Sequence, residues 1–262
     1  MDDSVLFVLV IVGMLVGIGL IAARIWNRGF TESEEKAHFF ESQAQPSVES
    51  QAETPKVAPS LPDSQLSKLL PSQFVVLDLE TTGLSAERDE IIEIGAIRVV
   101  LDSQNHLAFQ TLVKPARKIP RKITSMTGIT QKMVDEEGVP LEEALIQFKE
   151  FIADLPLVTF NAEFDMGFLR KAAGKHGMIF GNPYTCALKR ARRAWPELPS
   201  HRLVDLARWG RLPDTDSHRA IGDCTRALLV FTSATSTLGK KVRWTKPPIP
   251  SEPSWVVRTA DH

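Results

Sequence analysis

The stretch Phe74-Val75-Val76-Leu77-Asp78-Leu79-Glu80-Thr81-Thr82-Gly83-Leu84 decides both the fold and the chemistry of this 262-residue chain. β-Branched and aromatic residues open it, two acids spaced i, i+2 follow, and a Thr-Thr-Gly turn breaks it. Alternate side chains of a strand share a face, so Asp78 and Glu80 project together. Neighbouring carboxylates repel, and burying either one unpaired is costly. A divalent cation between them removes that cost, and hard oxygen ligands suit Mg²⁺ or Mn²⁺. The plainer alternative is a solvated strand edge. The apolar run leading into the acids speaks against it.

Working outward, the composition bounds the rest. Lys and Arg number 31 against 32 Asp and Glu, so net charge names no partner. Two cysteines, Cys186 and Cys224, make no disulfide framework and fit a reducing compartment. Upstream, Val5 to Ala23 is an apolar run of 19 residues. As a helix it reaches about 28 Å, close to the hydrocarbon thickness of a bilayer. Asp2 and Asp3 precede it, while Arg24 and Arg28 follow. That asymmetry predicts a single-span anchor over residues 1–30, inserted in the cytoplasmic (inner) membrane, with the remaining chain facing the cytoplasm. Residues 31–71 hold seven acids against three Lys and no sustained apolar periodicity. They read as a flexible, disordered acidic linker.

Downstream, Glu90–Val100 and Leu107–Val113 predict two further strands, hairpin-linked to the first. Pro140 opens an amphipathic helix with Leu141, Ala144, Leu145, Phe148, Phe151 and Ile152 on its core face. A short buried strand, Leu157–Phe160, runs into Asn161-Ala162-Glu163-Phe164-Asp165. Asn161 is placed to cap the helix that starts there, with Asp165 in its first turn. His218 and Asp223 lie five apart. On one helix they would diverge by roughly 140°, so they converge only if His218 belongs to the preceding loop. Strands and helices in this alternation predict an α/β domain over residues 72–238 with a mixed sheet flanked by helices. Residues 239–262 form a basic tail containing Pro and Trp.

Three segments together resemble a family. Asp78-Leu79-Glu80-Thr81-Thr82-Gly83-Leu84, Asn161-Ala162-Glu163-Phe164-Asp165 and His218-Arg219-Ala220-Ile221-Gly222-Asp223 are similar to the exonuclease motifs of DnaQ-like enzymes. These are the DEDDh group of 3′–5′ exonucleases, which includes the proofreading epsilon subunit of bacterial DNA polymerase III. The resemblance covers roughly residues 72–236 and implies a ribonuclease H-like fold. It also implies two divalent cations, Mg²⁺ or Mn²⁺, held by Asp78, Glu80, Asp165 and Asp223. By the same analogy His218 is the general base, since an imidazole titrates near neutrality. Thr81, Thr82, Leu84, Asn161 and Phe164 are the implied substrate contacts. Phe160 stands where many relatives have His, a position outside the catalytic set.

The expected partner is the 3′ end of a single or frayed strand, DNA favoured, gripped by basic segments such as Lys114–Lys122 and Lys189–Arg193. The linker or tail is the expected seat of any protein partner. The competing reading, from a different class, is a membrane-tethered nucleic-acid-binding scaffold whose site no longer turns over.

Overall fold

The computed structural model describes residues 63–101, 103, 106–211 and 218–247. The expected membrane span, residues 31–62 of the expected linker, and Trp255 in the tail lie outside them. Among the described residues no helix is long and apolar enough to cross a membrane.

Strand β1 (Gln73–Thr81) is the central strand of the sheet, and its Phe74, Val75, Val76 and Leu77 are all fully buried. It pairs antiparallel with β2 (Ile91–Val100), in a register that sets Asp78 opposite Gly95 and Glu80 opposite Glu93. β3 (Leu107–Leu112) continues the meander on the outer side of β2. β4 (Leu157–Thr159) and β5 (Tyr184–Cys186) extend the other side in parallel, giving the order β3-β2-β1-β4-β5. The mixed sheet follows the sequence expectation. The third strand ends at Leu112, and Val113 makes a separate parallel bridge with Val139, which follows the short helices α2 (Arg121–Thr127) and α3 (Gln131–Glu136).

Alternation along β1 feeds two layers. Val75, Leu77 and Leu79 pack with α4 (Leu141–Ile152) and α5 (Ala162–Lys175) through Leu145, Phe148, Met166 and Leu169. Phe74 and Val76 face the other way, onto α8 (Ala220–Leu238) at Cys224, Ala227 and Phe231. Phe74 and Phe231 meet edge to face, with ring centroids 5.8 Å apart. Asp78 and Glu80 share parity with Phe74 and Val76, so the acids lie on the α8 side of the sheet.

At both borders the described structure adds packed residues to the expected domain. The linker was expected to run to residue 71, yet α1 (Asp63–Leu69) is helical, with Leu66 and Leu70 buried beside Phe74. Its two leucines, spaced i, i+4, supply an apolar stripe too short to stand out within an acidic, Pro-rich stretch. The tail was expected to begin at 239, either disordered or wrapped on the domain or a partner. Residues 240–245 return to the domain: Val242 is buried, Trp244 packs on the same cluster, and Thr245 bridges Tyr184. The basic run Lys189–Arg193 lies on α6 (Ala187–Ala194), and α7 (Leu203–Trp209) follows it.

Candidate active site

The site is built where β1 ends. A register irregularity between Glu80 and Thr81 terminates the regular pairing and turns the chain. Thr81 and Thr82 are buried there and spend their hydroxyls on the turn. Thr81 Oγ1 donates to the Gly83 carbonyl at 2.6 Å, and Thr82 Oγ1 accepts from the Glu90 N–H at 2.9 Å. Leu84 follows, 88% exposed and apolar.

The expected acids do not all converge equally. One oxygen from each of Asp78, Glu80 and Asp223 lies within 4.8 Å of the others, and all three side chains are half-buried. Asp223 comes from the first turn of α8, more than a hundred residues away in sequence, and its Oδ1 accepts from Arg226 at 2.5 Å. Asp165 stands outside that trio. It is buried in the first turn of α5, where Thr159 Oγ1 donates to its Oδ2 at 2.6 Å.

The electrostatics show the strain of holding these groups together. Burial pushes the Asp78 carboxyl well above the usual range, and the charges of Asp165, Asp223, Glu80 and Glu93 add to it. Glu80 is pushed up to about 8 by burial, then by Asp223, Glu93 and Asp165, with Arg219 opposing. Asp165 is pushed up to about 7, chiefly by burial, against the hydrogen bond from Thr159 and backbone hydrogen bonds. A proton or a cation relieves such a cluster. Three hard oxygen donors at this separation fit a divalent cation.

His218 lies two residues before α8, exposed and in the left-handed region at φ 63°. A non-glycine residue there is held by its surroundings. The two residues after His218, Arg219 and Ala220, are tied to the sheet by Glu93, which sequence reading missed. Glu93 is fully buried on β2 and receives the Arg219 guanidinium, with Nη2 to Oε1 at 2.6 Å. It also accepts from Gln110 at 2.8 Å and from the Ala220 N–H, the first of α8, at 3.0 Å. A carboxylate so engaged fixes the entry to α8 and therefore both His218 and Asp223. The signal was present: an acid within Ile91-Ile92-Glu93-Ile94 has no place in an apolar strand unless it is paired.

Gly95 completes this junction. A Cβ there would lie 2.5 Å from the Ala220 Cβ, so only glycine lets α8 approach β2 this closely. Of the remaining expected contacts, Asn161 is exposed, and its side chain makes no cap hydrogen bond, contrary to the capping expectation. Phe164 is half-buried against the core, with its ring 4.9 Å from that of Phe168.

Comparison with known proteins agrees with this geometry. A family model described as "Exonuclease" matches residues 75–231. The DNA polymerase III epsilon subunit of Aquifex aeolicus is 37% identical over 168 residues, covering 62% of this chain and 80% of that protein. The PolC-type DNA polymerase III of Clostridium perfringens is 38% identical over 161 residues, 61% of this chain. The chain spans only 11% of that polymerase's length. In fold, the chain is similar to a zinc-bound E. coli exonuclease I–single-stranded DNA complex. The TM-score is 0.56 at 21% identity, covering 64% of this chain and 41% of the other. The sheet and helices are therefore a ribonuclease H-like exonuclease fold. Exonucleases of this type use two divalent cations, Mg²⁺ or Mn²⁺, and the acidic cluster is compatible with them. With the family match spanning more than half of the chain and carboxylates from both ends of that match meeting at one point, the chain belongs to the exonuclease family.

Proposed function

We propose that this chain hydrolyses phosphodiester bonds from the 3′ end of single or frayed strands, DNA favoured, as a membrane-tethered enzyme. The observation that carries the reading is the meeting of Asp78, Glu80 and Asp223 from β1 and α8 within 4.8 Å. These residues would hold divalent cations, with Asp165 supporting them from its place behind Thr159. Two such cations stabilise the attacking and leaving oxygens of an in-line displacement when bound.

The chain's own residues supply the rest. His218 takes the proton from the attacking water, its loop fixed through the Arg219–Glu93 pair. Leu84 meets the terminal base with its exposed side chain, and Asn161 and Phe164 contact the strand from the start of α5. Thr81 and Thr82 shape the turn that presents Leu84, and their backbone lies against the terminal nucleotide. The run Val5–Ala23 anchors the protein in the cytoplasmic membrane, with the linker giving the domain reach on the cytoplasmic side.

Digestion of 5′-labelled single-stranded DNA and RNA by the full chain, in neutral detergent with Mg²⁺, Mn²⁺ or EDTA, tests this. A ladder shortening from the 3′ end and lost in EDTA is the expected result. Strand binding without release of mononucleotides, by demonstrably folded protein, would reduce the chain to a binding scaffold.

A further inference from the structure

A cavity of about 630 Å³ lies along the outer edge of β5, apart from the acidic trio. α5 contributes Arg170 to its wall, and α6 contributes Lys189, Arg190 and Arg193. The returning segment closes it with Lys240, Lys241 and Arg243. Against these cations the lining holds one carboxylate, Glu163, which pairs with Lys189 at 2.7 Å. Arg190 is 8% exposed, and among the described residues it donates to neutral groups, the Thr235 hydroxyl and the Lys240 carbonyl. Burial and the neighbouring Arg193 lower its pKa. Concentrated, partly desolvated positive charge in a concave site attracts a polyanion.

The position of the cavity narrows the choice of anion. Ala162 and Glu163 line it and open α5, the helix that carries Asp165. Thr185 and Cys186 line it too, and Cys186 is paired in register with Thr159, the residue that holds Asp165. The groove therefore shares α5 and the β4–β5 pairing with the elements that place Asp165. Arg170 stands over the Tyr184 ring, 5.4 Å from its centroid, so an aromatic face lies within the cationic wall. Cations with interleaved aromatics along a groove suit a single nucleic-acid strand. A flat lipid surface cannot enter a groove walled by two helices. Lys240, Lys241 and Arg243 lie beyond residues 75–231, the span that the family match covers.

We propose that this groove binds backbone phosphates of the substrate strand several nucleotides from the bond being cut, making binding depend on strand length. The proposal rests on the exonuclease reading above. Its test uses the full chain in neutral detergent with EDTA, so that nothing is cleaved. Anisotropy of 5′-fluorescein oligothymidylates of about 20 and about 4 nucleotides is measured against salt. The longer strand should give the steeper dependence. In the variant Lys240→Gln/Lys241→Gln/Arg243→Gln its log–log slope should fall by about 2, with binding about tenfold weaker near 0.1 M salt.

Equal slopes for the two lengths in the unmodified chain would overturn the proposal, and this comparison decides alone if the variant fails to melt cooperatively. A folded variant with the unmodified slope would overturn it as well. So would a variant that loses binding to vesicles containing anionic lipid while keeping its strand binding, which would assign the groove to lipid headgroups. Failure of the exonuclease reading registers separately, as no 3′ shortening of the longer strand by the unmodified chain when Mn²⁺ is added.

Discussion

At the residue scale the molecule is governed by carboxylates placed where they cannot all ionise. Glu80 and Asp165 rise to about 8 and about 7 from ordinary values of 4.5 and 3.8, and Asp78 rises with them. Below about pH 4 both folded and unfolded chains keep these protons, and the cluster costs nothing. As pH climbs towards 8 the unfolded chain ionises freely while the folded one resists, so stability is lost across that window. The metal-free protein should therefore melt several degrees lower at pH 8.5 than at pH 5.5, and millimolar Mn²⁺ should reverse much of the loss at pH 8.5. Calorimetry with and without EDTA checks both signs. Asp78→Asn should cut exonuclease activity about 10³-fold or more while raising the metal-free melting temperature at pH 8.5, because one repelling charge is gone. A melting temperature lowered by this change would contradict the electrostatic account. His218→Ala should lower kcat by about 10²–10⁴-fold and leave the metal-induced melting shift in place, since the imidazole accepts a proton in this mechanism and binds no cation.

At the scale of elements, the decisive junction is between β2 and the start of α8. Glu93 ties Arg219 and the Ala220 N–H to the sheet, Gly95 admits Ala220 at close range, and the Cys224 thiol donates to the Gly95 carbonyl at 3.3 Å. Asp223 rides on the same helix turn, so any shift of α8 opens the acidic trio. Glu93→Ala strands a guanidinium that is one-third exposed, the buried Ala220 N–H and the Gln110 amide. It should cost about 2–3 kcal/mol of stability and lower kcat at least about tenfold, measured by urea unfolding and strand digestion. Wild-type turnover in a folded Glu93→Ala protein would show that this junction does not position the site.

At the scale of the whole molecule, the domain is larger than its motif-bearing core. α1 caps one end through Leu66 and Leu70, and the returning segment brings Val242 onto the same cluster, its N–H donating to the Leu69 carbonyl at 3.3 Å. Each buried leucine or valine contributes about 1.5–3 kcal/mol. A fragment of residues 63–247 should accordingly unfold as one unit, whereas residues 72–236 should be less stable by about 5 kcal/mol. Denaturant midpoints of the two fragments compare them directly, and equal stability would mean that α1 and the returning segment are ornaments.

The sequence by itself determined what depends on local pattern. The alternation through Phe74–Glu80 specified a strand with two acids on one face. The apolar spacing of residues 141–152 specified α4, and the alternation of strands and helices specified the mixed sheet. Tertiary structure alone decided which groups meet. Asp223 joined Asp78 and Glu80 because Gly95 lets α8 close on β2, while Asp165 was drawn aside by Thr159. Glu93 acquired its role from an arginine 126 positions away, and the cationic groove arose when residues 240–243 folded back beside α6. Periodicity reports burial along one element, but a charge finds its partner through distances that only the packed chain sets.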